Sequence, residues 1–282
     1  MKLTKLLPIW AVLLCVPGIA LRALHFLNGF DSVNGLPVAE DIWIWLCAAF
    51  FVMCAMGYAV LSAPLRAQEK TPFEQLLGTT QTGFRVPMVS AGLLMVLAGG
   101  GYLFLTLTVI EEGMAQWARI LEIVYAGVTV LTGACAVVLA KAQGEEMNAA
   151  RAQLTLVPLL WSCLHLLVNY RMTCIDPNLP SFGFGLVGDI MLVLTMYHLA
   201  RMLYGKPRPA MLAFFGAVAV TMAVSDAAGY GLAYLMGVHG VAWSAKMVVR
   251  SVLSVVAAVY VFAELRVLCA AQPQEQKSEE VA

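Results

Sequence analysis

Eight times along this chain, about twenty largely apolar residues follow one another, at 6–27, 42–64, 86–109, 115–140, 153–170, 184–204, 210–235 and 241–264. An α-helix needs about 20 residues, at about 1.5 Å each, to cross a hydrocarbon layer of about 30 Å. Only 12% of the 282 residues are charged and 61% are hydrophobic, against about 25% charged in ordinary soluble domains. A water-soluble helical core of this size would carry polar helix faces that these segments lack. The expectation is an all-α polytopic transmembrane bundle of eight helices.

Lysine and arginine set the expected orientation. With the N-terminus cytoplasmic, the inner segments carry Lys2, Lys5, Arg66, Lys70, Arg85, Lys141, Arg151, Arg201, Lys206, Arg208, Arg266 and Lys277. The opposite loops carry only Arg171, among short or acidic stretches with Asp31, Glu40, Asp41, Glu111, Glu112 and Asp176. Because cytoplasmic loops hold the excess of Lys and Arg, both termini are expected in the cytoplasm, with a bacterial inner membrane as the location. The start, M-K-L-T-K-L-L-P, resembles a secretion signal. Its apolar run continues to Leu27 without an A-x-A site, so it reads as a retained first span. Residues 1–266 form the expected transmembrane domain, and 267–282 a polar tail too short to fold alone.

Several chemistries are excluded at this level. A net charge of zero without Lys/Arg runs argues against a nucleic-acid partner. Most of the seven cysteines lie inside the spans with no C-x-x-C, so they read as buried thiols and not as a disulfide framework. The sequence holds no His-Glu-x-x-His, Gly-x-Ser-x-Gly or Walker loop. Gly183-Phe-Gly185-Leu-Val-Gly188 matches Gly-x-Gly-x-x-Gly but opens a span, which favours helix packing over dinucleotide binding. His25, His165, His198 and His239 sit on separate segments, so neither a metal nor a cofactor is expected.

A faint repeat runs through the chain. Spans one and five each place a proline just before a tryptophan, Pro8-Ile-Trp10 and Pro158-Leu-Leu-Trp161, and each is followed by a loop ending in Leu-Pro. Spans three and seven hold Ala98-Gly-Gly-Gly-Tyr102 and Ala227-Ala-Gly-Tyr230, and spans four and eight open with Trp117-Ala-Arg119 and Trp243-Ser-Ala-Lys246. These matches suggest a 4+4 parallel duplication of 1–141 and 151–266. The competing reading is coincidence among common membrane residues, since interfacial Trp and Gly-rich faces recur widely. Trp10, Trp43, Trp45, Trp117, Trp161 and Trp243 read mostly as interface anchors. Pro17-Gly18 interrupts span one, either as a simple kink or by freeing carbonyls to line a cavity.

The ionisable residues within the spans share one side. Placed by helix rise, Arg22, Arg119, Glu122, His165 and Asp189 fall in the outer part, with Asp226 and Arg250 deeper and Lys246 one turn above Arg250. A charge at mid-membrane costs at least about 2.5–3.5 kcal/mol, so each should face the bundle interior and a partner. Four cations (Arg22, Arg119, Lys246, Arg250) meet three anions (Glu122, Asp189, Asp226), leaving positive charge in excess. Arg119 and Glu122, three apart on one helix, are expected to pair locally. The short link between spans seven and eight brings Asp226 level with Arg250, so contact or a single bridging group is expected there. Lys246 then requires Asp189 or Glu122. The plain alternative is a buried ion-pair network that only orients helices.

Leu21-Arg22-Ala-Leu-His-Phe, followed by Asp31-Ser-Val-Asn-Gly35-Leu36, is similar to the first span and outer loop of uncharacterised polytopic proteins of bacterial inner membranes. That resemblance covers about the first tenth of the chain and implies a multi-span protein with no known activity. Leu186-Val-Gly188-Asp189 resembles the Gly-x-Gly-Asp pattern of intramembrane aspartyl proteases. Leu186 replaces the first glycine, however, and Asp226 lacks the preceding tyrosine, so that family is not supported. The expected function is an outward-facing polar cavity that binds a small polar or anionic solute. Arg22, Glu122, His165, Asp189, Asp226, Lys246 and Arg250 are the ligand-binding candidates, and transport is the expected mechanism. Alternatives are a sensor or assembly subunit acting through a protein partner or as a homo-oligomer, and a hydrolase using Asp189 and Asp226 as acid and base.

Overall fold

The computed structural model describes residues 3–31, 36–38, 41–109, 115–143, 149–174, 179–238 and 244–270. The described chain is 86% helical and its one β-bridge, Phe30 with Pro37, is isolated, so the fold is all-α. In order the helices are α1 (Leu7–Leu13), α2 (Cys15–Asn28), α3 (Ile42–Ser62), α4 (Phe73–Leu76), α5 (Thr82–Thr108), α6 (Gln116–Ala142), α7 (Ala149–Gln153), α8 (Leu156–Thr173), α9 (Leu179–Leu203), α10 (Pro209–Leu235) and α11 (Ala245–Ala270). Joined with flanking turns they give eight segments long and apolar enough to cross a membrane, compatible with a multi-pass membrane protein. Their surfaces agree: Trp45, Val60 and Leu97 are more than 70% exposed, a state that hydrocarbon satisfies and water does not.

Six helices close a ring in the order α10, α11, α5, α6, α8, α9 and back to α10. The first span (α1 and α2) packs on the outside of α10, and α3 packs against both α2 and α10. Burial follows this plan. The most apolar window of α10 and of α11 is 61% buried, whereas that of α3 is only 22% buried. The end of the bundle where the first span begins is called proximal below, and the end at Asn28 distal.

Close packing in lipid depends on small residues, because apolar burial gives no drive between helices already in hydrocarbon. The α5–α6 seam is built this way: a Cβ on Gly92 would meet the Gly133 carbonyl oxygen at 2.7 Å, and one on Gly133 would strike the Gly92 carbonyl in return. Of Gly99-Gly100-Gly101, only Gly99 packs, against Thr129 and Val130 of α6. In Gly183-x-Gly185-x-x-Gly188, Gly185 and Gly188 seat α9 on Asp226 and Met222 of α10. α9 and α10 end on Gly205 (φ 70°) and Gly237 (φ 69°). There Lys206 N bonds Arg201 O at 3.3 Å and Val238 N bonds Ala233 O at 3.2 Å, the left-handed closure that glycine permits.

Several expectations change on contact with the structure. The first span does break, at Leu14, just ahead of Pro17. The Ala11 carbonyl at the break does not line a cavity: it accepts from Cys15 Sγ and Thr221 Oγ1, both at 3.1 Å. Trp161 is fully buried and is no interface anchor. α11 runs to Ala270, past the expected end at 264, because Glu264 is buried in the bundle and not solvated at its rim. α10 touches α1, α2, α3, α9 and α11, whereas α5 packs chiefly on α6 and α11. Glu40, Glu111, Glu112, Asp176, His239, Trp243, the 32–35 loop and the tail from Ala271 lie outside the described residues.

Candidate functional site

The interior stripe of α11 organises the polar residues. Lys246, Arg250, Leu253, Ala257, Val261 and Glu264 recur at spacings of three and four, which keeps them on one helix face, and all are buried. Lys246 and Arg250 occupy its distal end, and three groups of side chains from other helices meet them there.

The first group belongs to Lys246. Its Nζ donates to Glu122 Oε2 of α6 at 2.9 Å, with both side chains at most 5% exposed. Arg171, at the end of α8, approaches the other carboxylate oxygen at 3.5 Å while its guanidinium lies over the Trp117 ring. Glu122 is thus the anion that Lys246 requires. The expected Arg119–Glu122 pair does not form, because Arg119 turns outward and reaches the Leu107 carbonyl at 3.4 Å.

The second group locks the first span onto the ring. Arg22 Nε and Nη2 both donate to Asp226 Oδ1, at 2.9 and 2.6 Å, in a setting that leaves Arg22 0% exposed. Its guanidinium stacks over Phe26 and Phe184. Gly229 permits the approach, since a Cβ there would meet Arg22 Cβ at 2.5 Å. Arg22 Nη1 also lies 2.6 Å from His25 Nδ1. Guanidinium only donates, so Nδ1 accepts and the ring proton sits on Nε2, the atom 3.2 Å from Asp41 Oδ2. Asp41 in turn caps α3 through Trp43 N at 2.8 Å. Polar contacts therefore run from α10 through the first span to the second.

The third group is centred on His165 of α8, which is fully buried. Its Nδ1 is 2.7 Å from the Tyr125 hydroxyl, and its Nε2 is 2.9 Å from Ser254 Oγ and 3.1 Å from Asn169 Nδ2. Asn169 donates to Asp189 Oδ2 at 2.7 Å, and Asp189 Oδ1 stands 3.5 Å from the imidazole. Trp161 stacks on the imidazole at 4.9 Å and is itself held by its indole N–H on Thr129 Oγ1.

Arg250 belongs to none of these groups. The expected contact with Asp226 is not made, because Arg22 holds that carboxylate from the other side of α10. Among the described residues Arg250 forms no ion pair within 4 Å. Its Nη1 is buried and makes no hydrogen bond within 3.5 Å, and the same holds for the hydroxyl of Tyr102 on α5; the two groups nevertheless stand close enough to interact, and Asp189 lies within the field of Arg250. Arg250 borders a cavity of about 80 Å³ whose walls also carry Asp189, Asp226, Asn169, Ser251 and Ser254. Of the seven candidates, Asp189, Asp226 and Arg250 line this chamber directly. His165 backs it through Asn169 and Ser254, Arg22 backs it through Asp226, and Lys246 and Glu122 form the adjoining pair.

Asn169, Tyr125, Tyr102, Ser251, Ser254 and Arg171 complete the arrangement and went unassigned in the sequence, as did Glu264. That carboxylate sits at the proximal end of the stripe, 3% exposed, and accepts from Gln143 Nε2 at 2.7 Å. Eighteen residues separate it from Lys246, five helical turns, so the sequence did carry its register. Among the described residues no group of three His, Cys, Asp or Glu side chains is placed to hold a metal ion. No family model, no curated protein and no solved structure matches this chain.

Proposed function

We propose that this is a multi-pass membrane protein whose distal chamber, open to the extracytoplasmic side, binds a small polar or anionic group. One observation carries the reading: Arg250, 6% exposed, borders a cavity while one of its buried nitrogens makes no hydrogen bond. A buried guanidinium nitrogen left without a hydrogen bond is costly, and an incoming carboxylate or phosphate oxygen would relieve that cost with a charge-assisted bond. Of the two carboxylates in the same walls, Asp226 is paired with Arg22 and Asp189 accepts from Asn169, so a bound anion has to sit on the Arg250 side of the cavity. Transport would proceed by movement of one part of the ring against the other.

A second reading, a sensor or assembly subunit, is favoured by the packing below the chamber. Leu253, Ala257, Val261, Leu192 and Met196 are all buried there and separate the chamber from a space of about 530 Å³ at the proximal end, between the first span, α5 and the end of α11. Hydrolysis is disfavoured because Asp226 is held by two nitrogens of Arg22 and is poorly placed to serve as acid or base.

The test is thermal unfolding of the purified protein with acetate, phosphate or glycine. At least one should raise the midpoint in the wild type and leave Arg250→Gln unmoved. A flat response to all three, or an equal response in the variant, would overturn the reading.

A further inference from the structure

The chamber is small. At about 30 Å³ of liquid volume per water, its 80 Å³ admits a carboxylate-sized group and little more. Directly beside it lies a much larger space of about 410 Å³, a crevice over the lipid-facing side of α11 between α5 and α10. Its walls are Leu94, Val252, Val255, Val256 and Val259 with small residues around them, so it offers almost no polar surface. Two residues, Ala227 of α10 and Ser251 of α11, line both spaces. The partition between chamber and crevice is therefore a seam of small side chains, where a methyl group faces a hydroxymethyl.

Resting on the reading of the chamber given above, we infer that its ligand is a single-chain amphiphile with a carboxylate-sized anionic head, of the long-chain fatty acid class. The head meets Arg250 and the chain passes over Ala227 and Ser251 into the crevice along α11. Three observations converge on this occupant. Arg250 supplies a buried guanidinium nitrogen without a hydrogen bond, the chamber limits the head to a few atoms, and the crevice supplies an apolar bed that starts where the chamber ends. A freely soluble solute would leave the crevice unused. A two-chain phospholipid headgroup, with its glycerol and second ester, exceeds the chamber. Such a ligand would reach Arg250 sideways from the bilayer, between α10 and α11, with no need for a wide opening at the distal face.

The experiment uses the full chain purified in detergent, with native mass spectrometry and thermal unfolding as readouts. Palmitate, hexadecanol and acetate are the probes. Palmitate should bind one per chain, at least tenfold more tightly than either acetate, which lacks the chain, or hexadecanol, which lacks the charge. Val252→Trp fills the crevice from its lipid-facing side. It should weaken palmitate at least tenfold and leave the response to acetate unchanged, and Val259→Trp serves if the first variant folds poorly. Arg250→Gln should weaken both anions. Palmitate no tighter than acetate, or palmitate indifferent to both tryptophan variants, overturns the amphiphile and leaves the anion chamber standing. Binding of palmitate and acetate that is indifferent to Arg250→Gln overturns both readings.

Discussion

Lys246 and Glu122 stand 2.9 Å apart between α11 and α6, both shut away from the surface, while Arg250, one turn further along the same face, has no such partner. Two like charges four residues apart thus have different fates. Lys246 is neutralised by the neighbouring helix, whereas Arg250, among the described residues, forms no ion pair within 4 Å and borders a cavity.

The Lys246–Glu122 contact should behave as a buried pair. Removing one partner strands the other charge at a cost of about 3–5 kcal/mol, so Glu122→Gln should lower unfolding stability by that order. Glu122→Gln combined with Lys246→Met should recover most of the loss. Chemical unfolding in detergent, read as a double-mutant cycle, measures both.

Arg22 and Asp226 are expected to follow the same rule with a different readout. Asp226→Asn should destabilise by about 3–5 kcal/mol. It should also loosen the first span from the ring, because the polar contacts from α10 to α3 pass through Arg22. Limited proteolysis near residues 29–41 should accelerate in Asp226→Asn and return towards the wild-type rate when Arg22→Met is added.

Arg250 should show the opposite stability effect. Arg250→Met replaces a buried guanidinium that forms no ion pair within 4 Å among the described residues by an apolar side chain of similar length, so the apo protein should unfold at a higher temperature than wild type. Ligand-induced stabilisation should vanish in the same variant. A fall in apo stability would mean that Arg250 has a structural partner.

The glycines of α5 separate packing from mere abundance. Gly92→Val pushes a branched side chain into the Gly133 carbonyl and should cost about 1–3 kcal/mol. Gly100→Ala, where a Cβ would meet nothing within 4 Å, should leave the unfolding midpoint unchanged. Equal effects at the two sites would refute the α5–α6 seam.

At the break in the first span, Thr221→Val removes a donor to the Ala11 carbonyl and a 2.7 Å contact with the Tyr58 hydroxyl. Hydrogen bonds between membrane helices average about 0.6 kcal/mol and reach about 1.7, so a loss within that range is expected. Tyr58→Phe should cost less, because the Ala11 carbonyl keeps Thr221.

Span number and length were legible because hydropathy is summed over about twenty residues, and one misplaced charge barely alters the sum. The same insensitivity hid the end of α11, where Glu264 and Arg266 looked like a boundary. Depth was legible too: Arg22, Asp226, Lys246 and Arg250 gather at one end, as helix rise implied. Azimuth across distant spans was not. Asp226 could be set level with Arg250 from a short hairpin, yet nothing in the sequence reveals that α2 approaches α10 on the side where that carboxylate is taken. Asn169 and Tyr125 carry no charge and so raised no question of desolvation. The four-residue step from His165 to Asn169 was the only signal available for that contact.

The clasp between Arg22 and Asp226 has a consequence for biogenesis. The two residues are 204 positions apart, and at about 5–20 residues per second a ribosome needs about 10–40 s to travel between them. Until the seventh span emerges, the first helix therefore holds its guanidinium on His25 and Phe26 of the same span alone, and a chain halted before Asp226 would lack the carboxylate that locks that span onto the ring.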